Sequence, residues 1–321
     1  MPRLESSADV VRLATTDDGL RLALHHYRAR DPRGQEPILC CHGLAANRLA
    51  FDLGEVSLAR HLADRGYEVF VLELRGHGLS QRPAWGWSFD DYLTRDVPAA
   101  IAAVQARTGA ERVHFIGHSM GGLLAYAHLA RGRRDLKSAI TVGSSLDYSA
   151  GTGFSSLLPF SGLLRRVPAV PVPLLARASG AFVGRWVTPY ERFNVWPSNC
   201  EPALWRRICA EGFHPVSSPV MAQLASALGR GGLRSADGSR HYLSGLDGVD
   251  TPVLALAGSR DAQCPPHTAR ATIAKLPRAE LAVFGTEAGH ADEYGHWDLL
   301  MGRRVRDEVF PRILDFLARV D

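Results

Sequence analysis

Residues 117–122 read Gly-His-Ser-Met-Gly-Gly, so a serine stands two positions from a glycine on either side. The run follows the apolar stretch Val113-His114-Phe115-Ile116 and opens a second apolar stretch over 123–130. A strand-to-helix turn this tight leaves little space at the two flanking positions, and glycine at 117 and 121 meets that need. Such a turn lifts the Ser119 hydroxyl above a sheet and sets it at a helix N-terminus, where unpaired N–H groups favour negative charge. The chemistry this suits is nucleophilic attack on a carbonyl. A serine hydroxyl is a weak nucleophile by itself and needs a base to take its proton. The carbonyl oxygen also needs donors for its developing charge. His42-Gly43-Leu44, directly after the apolar run 38–41, points to the backbone N–H groups of Leu44 and Met120 as that oxyanion hole. Losing one such donor typically costs about a hundredfold in rate. His42 itself sits at a strand end and is expected to brace the loop rather than to take part in chemistry.

Two histidines compete for the base. His290, in Ala288-Gly289-His290, follows the strand-like run 280–284 by a short loop. His296 lies six positions further on, ahead of a helix-like segment. The base has to approach Ser119 Oγ to about 3 Å while an acid holds its other ring nitrogen. For that acid, Asp261 follows the run 253–257 and precedes Pro265 and Pro266, which stiffen its loop. Asp147, after the run 139–142 and the Gly143-Ser144-Ser145 turn, is the alternative. His290, Asp292, Glu293 and His296 are metal-ligating types, yet their spacing fits neither H-E-x-x-H nor a paired Cys/His pattern. They read as a polar loop, and no metal or cofactor is expected.

Cys41-His42-Gly43-Leu44-Ala45-Ala46-Asn47, Leu74-Arg75-Gly76-His77-Gly78-Leu79-Ser80 and Gly117 to Gly122 together resemble the α/β-hydrolase superfamily. Gly258-Ser259-Arg260-Asp261 looks like that fold's acid turn. Tyr294-Gly295-His296-Trp297-Asp298, with Gly302, resembles the Y-x-H-x-D pattern of gastric-type acid lipases and related bacterial lipase-like hydrolases. The resemblance covers nearly the whole chain outside a central insertion, and its order of nucleophile, acid and base matches the fold. It implies a triad of Ser119, Asp261 and His296, with Asp298 supporting the histidine loop and Arg75-Gly76-His77-Gly78 as a structural turn. Polyhydroxyalkanoate synthases carry cysteine at the nucleophile, and haloalkane dehalogenases and epoxide hydrolases carry aspartate. Serine therefore points to ester hydrolysis. Cofactor-free haloperoxidase-like members usually follow the serine with tryptophan, where this chain has Met120.

The elements that must position these residues alternate along the chain. Strand-like runs fall at 20–27, 38–41, 68–74, 113–116, 139–142, 253–257 and 280–284, and helical spacing at 56–65, 89–108, 120–130 and 305–320. This predicts an α/β class, with a mostly parallel central sheet flanked by helices. Alternation breaks over 148–245, where Gly, Pro and Trp recur and the run 167–173 alternates proline with apolar residues. Prolines at that density suit neither a central strand nor a long helix. The domain reading is a core of 1–147 and 246–321 interrupted by a cap or lid over 148–245. Its Phe154, Leu157, Leu158, Phe160, Trp186, Trp196 and Trp205 suggest an apolar acyl pocket, or else simple packing onto the core.

Composition narrows the alternatives. The 321 residues are 46% hydrophobic and 22% charged, with a formal net charge of +4, as in ordinary globular chains. No basic face of the kind nucleic-acid binders use is evident. Five scattered cysteines form no disulfide framework, and Cys40 and Cys41 read as small core residues of a strand. No run of about eighteen apolar residues argues for a membrane span, and the first residues, MPRLESSADVVRLATTDDG, lack the apolar core of a secretory signal. A cytoplasmic enzyme is the expectation. Its partner is a small ester or lipid with an apolar acyl group, and nothing specifies an oligomeric state. Thioester hydrolysis, acyl transfer and carbon–carbon hydrolysis could use the same site, and a non-catalytic binding protein of this fold is the remaining reading.

Overall fold

A computed structural model describes residues 7–32, 34–155 and 167–321. Six strands come first in the chain: β1 (Val10–Thr15), β2 (Arg21–Tyr27), β3 (Ile38–Cys41), β4 (Val69–Leu72), β5 (Val113–His118) and β6 (Leu136–Val142). Two-residue strands β7 (Ala169–Val170) and β8 (Val216–Ser217) follow, and then β9 (Val253–Gly258) and β10 (Ala279–Phe284). The main sheet has eight strands in the order β1-β2-β4-β3-β5-β6-β9-β10. β1 and β2 run antiparallel to their neighbours and the others run parallel. Every residue of β3, β4, β5 and β9 is buried, as expected for parallel strands covered on both faces. This is the α/β-hydrolase architecture that the sequence resemblance implies.

Several elements differ from the sequence expectation. β1 is added at the sheet edge. Its alternating half-buried pattern, with Val11 and Leu13 exposed, gives a weak apolar signal. The helix expected over 89–108 is interrupted. Ser88 and Asp91 form a capping box at its start, a π turn spans Tyr92–Asp96, and the α-helix proper is Val97–Thr108. The C-terminal helix begins at Val309 rather than at 305. By contrast, the helix Met120–Ala130 has the expected bounds and is buried along its whole length.

β6 and β9 are adjacent in the sheet, so the 110-odd residues between them leave it and return. The described part of this insertion includes regular structure. It holds the helices Val172–Gly180, Pro189–Asn194, Pro202–Glu211 and Ser218–Leu224, each with a proline in its first turn. A first-turn proline gives up an N–H that would lack a partner in any case, so proline density here marks helix starts. Leu157, Leu158 and Phe160 lie outside the described residues. No described helix is long and apolar enough to cross a membrane. All five cysteines are buried as free thiols, with Cys40 and Cys41 in β3 as expected.

Arg75 closes the turn after β4. Its Nε donates to Asp96 Oδ1 at 2.7 Å and its Nη1 to Asp18 Oδ2 at 2.9 Å, while its backbone N–H donates to Asp96 Oδ2 at 2.8 Å. Arg75 and Asp96 are fully buried, so the pair fastens the interrupted helix to the strand end. Removing one partner leaves the other as an uncompensated buried charge. Arg75→Ala is therefore expected to lower unfolding stability by about 3 kcal/mol or more, measured by urea denaturation. Arg95→Ala, whose side chain is 37% exposed, should change it by less than about 1 kcal/mol.

Candidate functional site

β5 ends at His118, and Met120 already begins the following helix, so Ser119 alone makes the turn. Its φ of 53° and ψ of −120° lie where L-residues are rarely found. Conformations of this kind cost roughly 1–3 kcal/mol and need surrounding structure to hold them. The glycines show what holds this one. A Cβ on Gly117 would lie 2.3 Å from the Gly121 carbonyl carbon, one on Gly121 would lie 2.1 Å from Cys41 O, and one on Gly122 would lie 2.1 Å from Ser144 Oγ. Backbone thus packs on backbone where β5, the helix start and the end of β3 cross. Ser119 N–H donates to Val142 O at 2.8 Å and Ser144 Oγ–H to Ser119 O at 2.8 Å, tying the turn to β6. Ser119 remains partly exposed while His118 and Met120 are buried.

The loop after β3 lies against this turn. A Cβ on Gly43 would stand 2.8 Å from Ser119 Cβ. Ala46 N–H bonds back to Gly43 O at 3.1 Å, and Ala45 takes a left-handed φ of 60°. Among the described residues, the N–H groups of Leu44 and Met120 donate to no other group of the protein. Met120, as the first residue of its helix, has no intrahelical acceptor. His42 does not face Ser119. Its Nδ1–H donates to Gly43 O at 2.9 Å and its Nε2 accepts from Leu74 N–H at 3.1 Å. Burial lowers its pKa to about 4, outweighing the Gly43 hydrogen bond, so the ring stays neutral and bridges two strand ends.

Asp261 and His296 come together at the end of β9. His296 Nδ1 lies 2.8 Å from Asp261 Oδ2, and both residues are buried. Asp261 Oδ1 accepts from the backbone N–H groups of Gln263 and Cys264, at 2.8 Å each, which fixes the carboxylate. Gly143, at a φ of 59°, makes room for the pair. A Cβ there would lie 2.9 Å from His296 Nδ1 and 3.0 Å from Asp261 Oδ2. The imidazole of His118, beside Ser119 in the chain, packs on the His296 ring at 4.7 Å, bringing the loop of His296 onto the β5 turn.

The alternatives lie elsewhere. His290 is half-buried, with Nδ1 3.2 Å from Gly285 O and its ring on Phe284. Asp147 Oδ1 accepts from Ser149 N–H at 2.9 Å in a local turn. Asp292 takes Ser198 Oγ–H at 2.9 Å, and Glu293 bonds with Ser259 and Thr286.

Asp298 does more than its sequence position suggested. Fully buried, it accepts Gly295 N–H at 2.8 Å, Trp196 N–H at 3.0 Å and Asn199 Nδ2 at 3.3 Å. Burial outweighs those bonds and raises its pKa to about 7. It joins the loop of His296 to the insertion. Trp297 then packs on Trp205 at 6.0 Å and Phe213 at 5.5 Å. Trp205 is accordingly a packing residue. Trp196 lies between Arg192 and Arg260, Phe154 packs on Phe193, and Trp186 is exposed. Gly143 and His118 escaped the sequence reading. The Gly-Ser-Ser turn after 139–142 was the available signal for Gly143, and His118 had none apart from adjacency to Ser119.

A profile of the alpha/beta hydrolase fold family matches residues 36–300. A Schizosaccharomyces pombe protein named as a probable lipase is 25% identical over 366 aligned positions, covering 95% of this chain and 76% of that one. Lipase lipl-3 of Caenorhabditis elegans is 34% identical over 134 residues, 36% of this chain and 33% of that one. Human lysosomal acid lipase/cholesteryl ester hydrolase is 29% identical over 150 residues, 41% of this chain and 38% of that one. These last two alignments thus span only 33% and 38% of the relatives' lengths. Among solved structures, an esterase from Exiguobacterium antarcticum superposes with a TM-score of 0.64 at 18% identity, covering 96% of this chain and 100% of that one. Esterase RhEst1 from Rhodococcus sp. ECU1013 gives 0.64 at 21% identity, with 97% and 99% covered. At these identities the structures speak for the fold.

The crowding at the turn can be tested directly. Gly121→Ala places a methyl group 2.1 Å from Cys41 O, with backbone on both sides and no flexible side chain to yield. Overpacking of this kind costs about 1–3 kcal/mol or more, so the variant should melt well below wild type. Gly109→Ala, at an open C-cap, should show only the smaller left-handed penalty.

Proposed function

As the chain belongs to the α/β-hydrolase fold family, we propose that it is a serine hydrolase of carboxylic esters, with Ser119 as nucleophile, His296 as base and Asp261 as the acid that orients it. The observation that carries this reading is the buried 2.8 Å contact of Asp261 with His296, whose ring packs beside the Ser119 turn. His296 Nε2 takes the Ser119 Oγ proton as Oγ attacks the ester carbonyl carbon. The carbonyl oxygen becomes an oxyanion, held by the N–H groups of Leu44 and Met120. The tetrahedral species collapses with cleavage of the acyl–oxygen bond. The imidazolium returns its proton to the departing alcohol, leaving an acyl-Ser119. Water, deprotonated by the same imidazole, attacks the acyl carbon, and a second collapse frees the acid and restores Ser119. Asp261 fixes the proton-bearing Nδ1 towards itself and stabilises the imidazolium in both steps.

The substrate class we infer is an ester with an apolar acyl chain. Support comes from the lipase names of the relatives and from the apolar insertion that meets the base loop at Trp297, Trp205 and Phe213. We read that insertion, over 148–245, as the cap that sets specificity.

Hydrolysis of p-nitrophenyl esters from acetate to palmitate tests both statements. Ser119→Ala and His296→Ala should each lower kcat by about four orders of magnitude or more, and the double variant should be no worse than either. Asp261→Asn should lower kcat by about 10⁴ with little change in KM. His290→Ala should remain within about threefold of wild type. Full activity in Ser119→Ala would sink the mechanism. A strict preference for acetate over longer chains would overturn the acyl-chain assignment and leave the mechanism standing.

A further inference from the structure

The insertion and the loop carrying Leu44 are joined by one histidine that the reaction does not use. His214 follows the helix Pro202–Glu211, and its backbone N–H donates to Ala45 O at 2.7 Å, on the residue held at a φ of 60°. Its Nε2 accepts from Gly78 N–H at 3.2 Å and lies 3.1 Å from Asn47 Nδ2. The second amide hydrogen of buried Asn47 goes to Glu211 O at 2.9 Å, and its Oδ1 accepts from Leu49 N–H at 3.0 Å. One ring nitrogen therefore serves as acceptor for two core loops, 44–47 and 75–80, while the main chain at His214 and at Glu211 before it is bonded to the first of them.

Resting on the ester-hydrolase reading, we propose that His214 is a positioning residue that holds the Leu44 loop in its oxyanion-binding geometry, and that it does so only as the neutral imidazole. A proton on Nε2 would set a donor against Gly78 N–H and Asn47 Nδ2, with no acceptor left between them. The groups facing the ring are His77, whose ring lies 5.6 Å away, Glu73, Arg82 and, behind His77, His42. His77 itself gives its Nδ1–H to Arg75 O at 2.9 Å. Burial lowers the His214 pKa from its ordinary 6.5, against the raising influence of Glu73 and with Arg82 lowering it further. A folded-state value below the free value means that the released form binds the proton better. The contact is therefore intact above about pH 6.5 and weakens as pH falls below it.

The experiment compares wild type with His214→Gln and His214→Ala. Glutamine Oε1 occupies the place of Nε2 and accepts hydrogen bonds at every pH, whereas alanine offers none. Amide hydrogen exchange over 44–47 and at Gly78, corrected for intrinsic rates, is read at pH 8 and pH 5.5 beside kcat and KM for p-nitrophenyl butyrate. We expect His214→Ala to exchange faster at both pH values and to lose about tenfold in kcat with KM within about twofold. His214→Gln should keep wild-type exchange and kcat at pH 8, and its kcat relative to wild type should rise several-fold at pH 5.5, where wild-type exchange accelerates. Unchanged exchange in His214→Ala, or identical behaviour of the two variants, overturns the proposal. Wild type that cleaves no ester would defeat the functional reading, and exchange would still decide the coupling.

Discussion

The crossing of β3, β5 and the helix Met120–Ala130 is the constraint from which the rest of the site follows. Three backbones meet there, because a Cβ on Gly117 or Gly121 would fall within 2.4 Å of a neighbouring backbone atom, while one on Gly122 would strike the Ser144 side chain. That contact fixes Ser119 in its left-handed turn, and it fixes the helix start whose N–H groups face the loop after β3. The surrounding sheet supplies the stiffness. β3 and β5 are buried on both faces and paired in register from Ile38↔His114 to Cys41↔Gly117. A strained residue at the end of such strands has no inexpensive way to relax.

Around this crossing, hydrogen bonds fix the tautomer of His42 and hold the ring of His296. His42 gives its Nδ1–H to Gly43 and takes Leu74 N–H, so it joins the strand end carrying the loop to the one carrying the Arg75 turn. His296 presents Nδ1 to Asp261. Burial keeps His42, His77 and His118 neutral by lowering their affinity for protons. Charge is tolerated where it is paired or well hydrogen-bonded, as in Arg75 with Asp96 and Asp18, or in Asp261 with two backbone donors. The buried polar groups act as local fasteners, each joining two segments distant in the chain.

The insertion is fastened to the core by the same means. Asp298 bonds the loop of His296 to Trp196 and Asn199, and His214 bonds the helix Pro202–Glu211 to the loop of Leu44. Packing of Trp297 on Trp205 and Phe213 lies between these points. The insertion and the core are thus mechanically connected both at the loop of His296 and at the loop of Leu44.

Much of this was legible in the sequence. The turn at Ser119 and the helix after it depend on contacts within a few residues, so glycine spacing and apolar runs specify them directly, and Met120–Ala130 has the bounds that reading gave. Proline density in the insertion excludes long helices, but the role of these prolines as helix starts depends on the short helices present at 172, 189, 202 and 218. The half-exposed β1 was hidden because an edge strand needs no strong apolar pattern. Which histidine meets an aspartate was beyond local reasoning. Asp261 and His296 are 35 positions apart, and their meeting depends on the sheet order and on Gly143 and Gly258 leaving space for the loop that crosses β9. His290 has the more favourable spacing after β10, yet its ring is taken by Gly285 and Phe284. Chain-local sterics determined where Ser119 stands, whereas long-range packing alone decided which side chains gather near it.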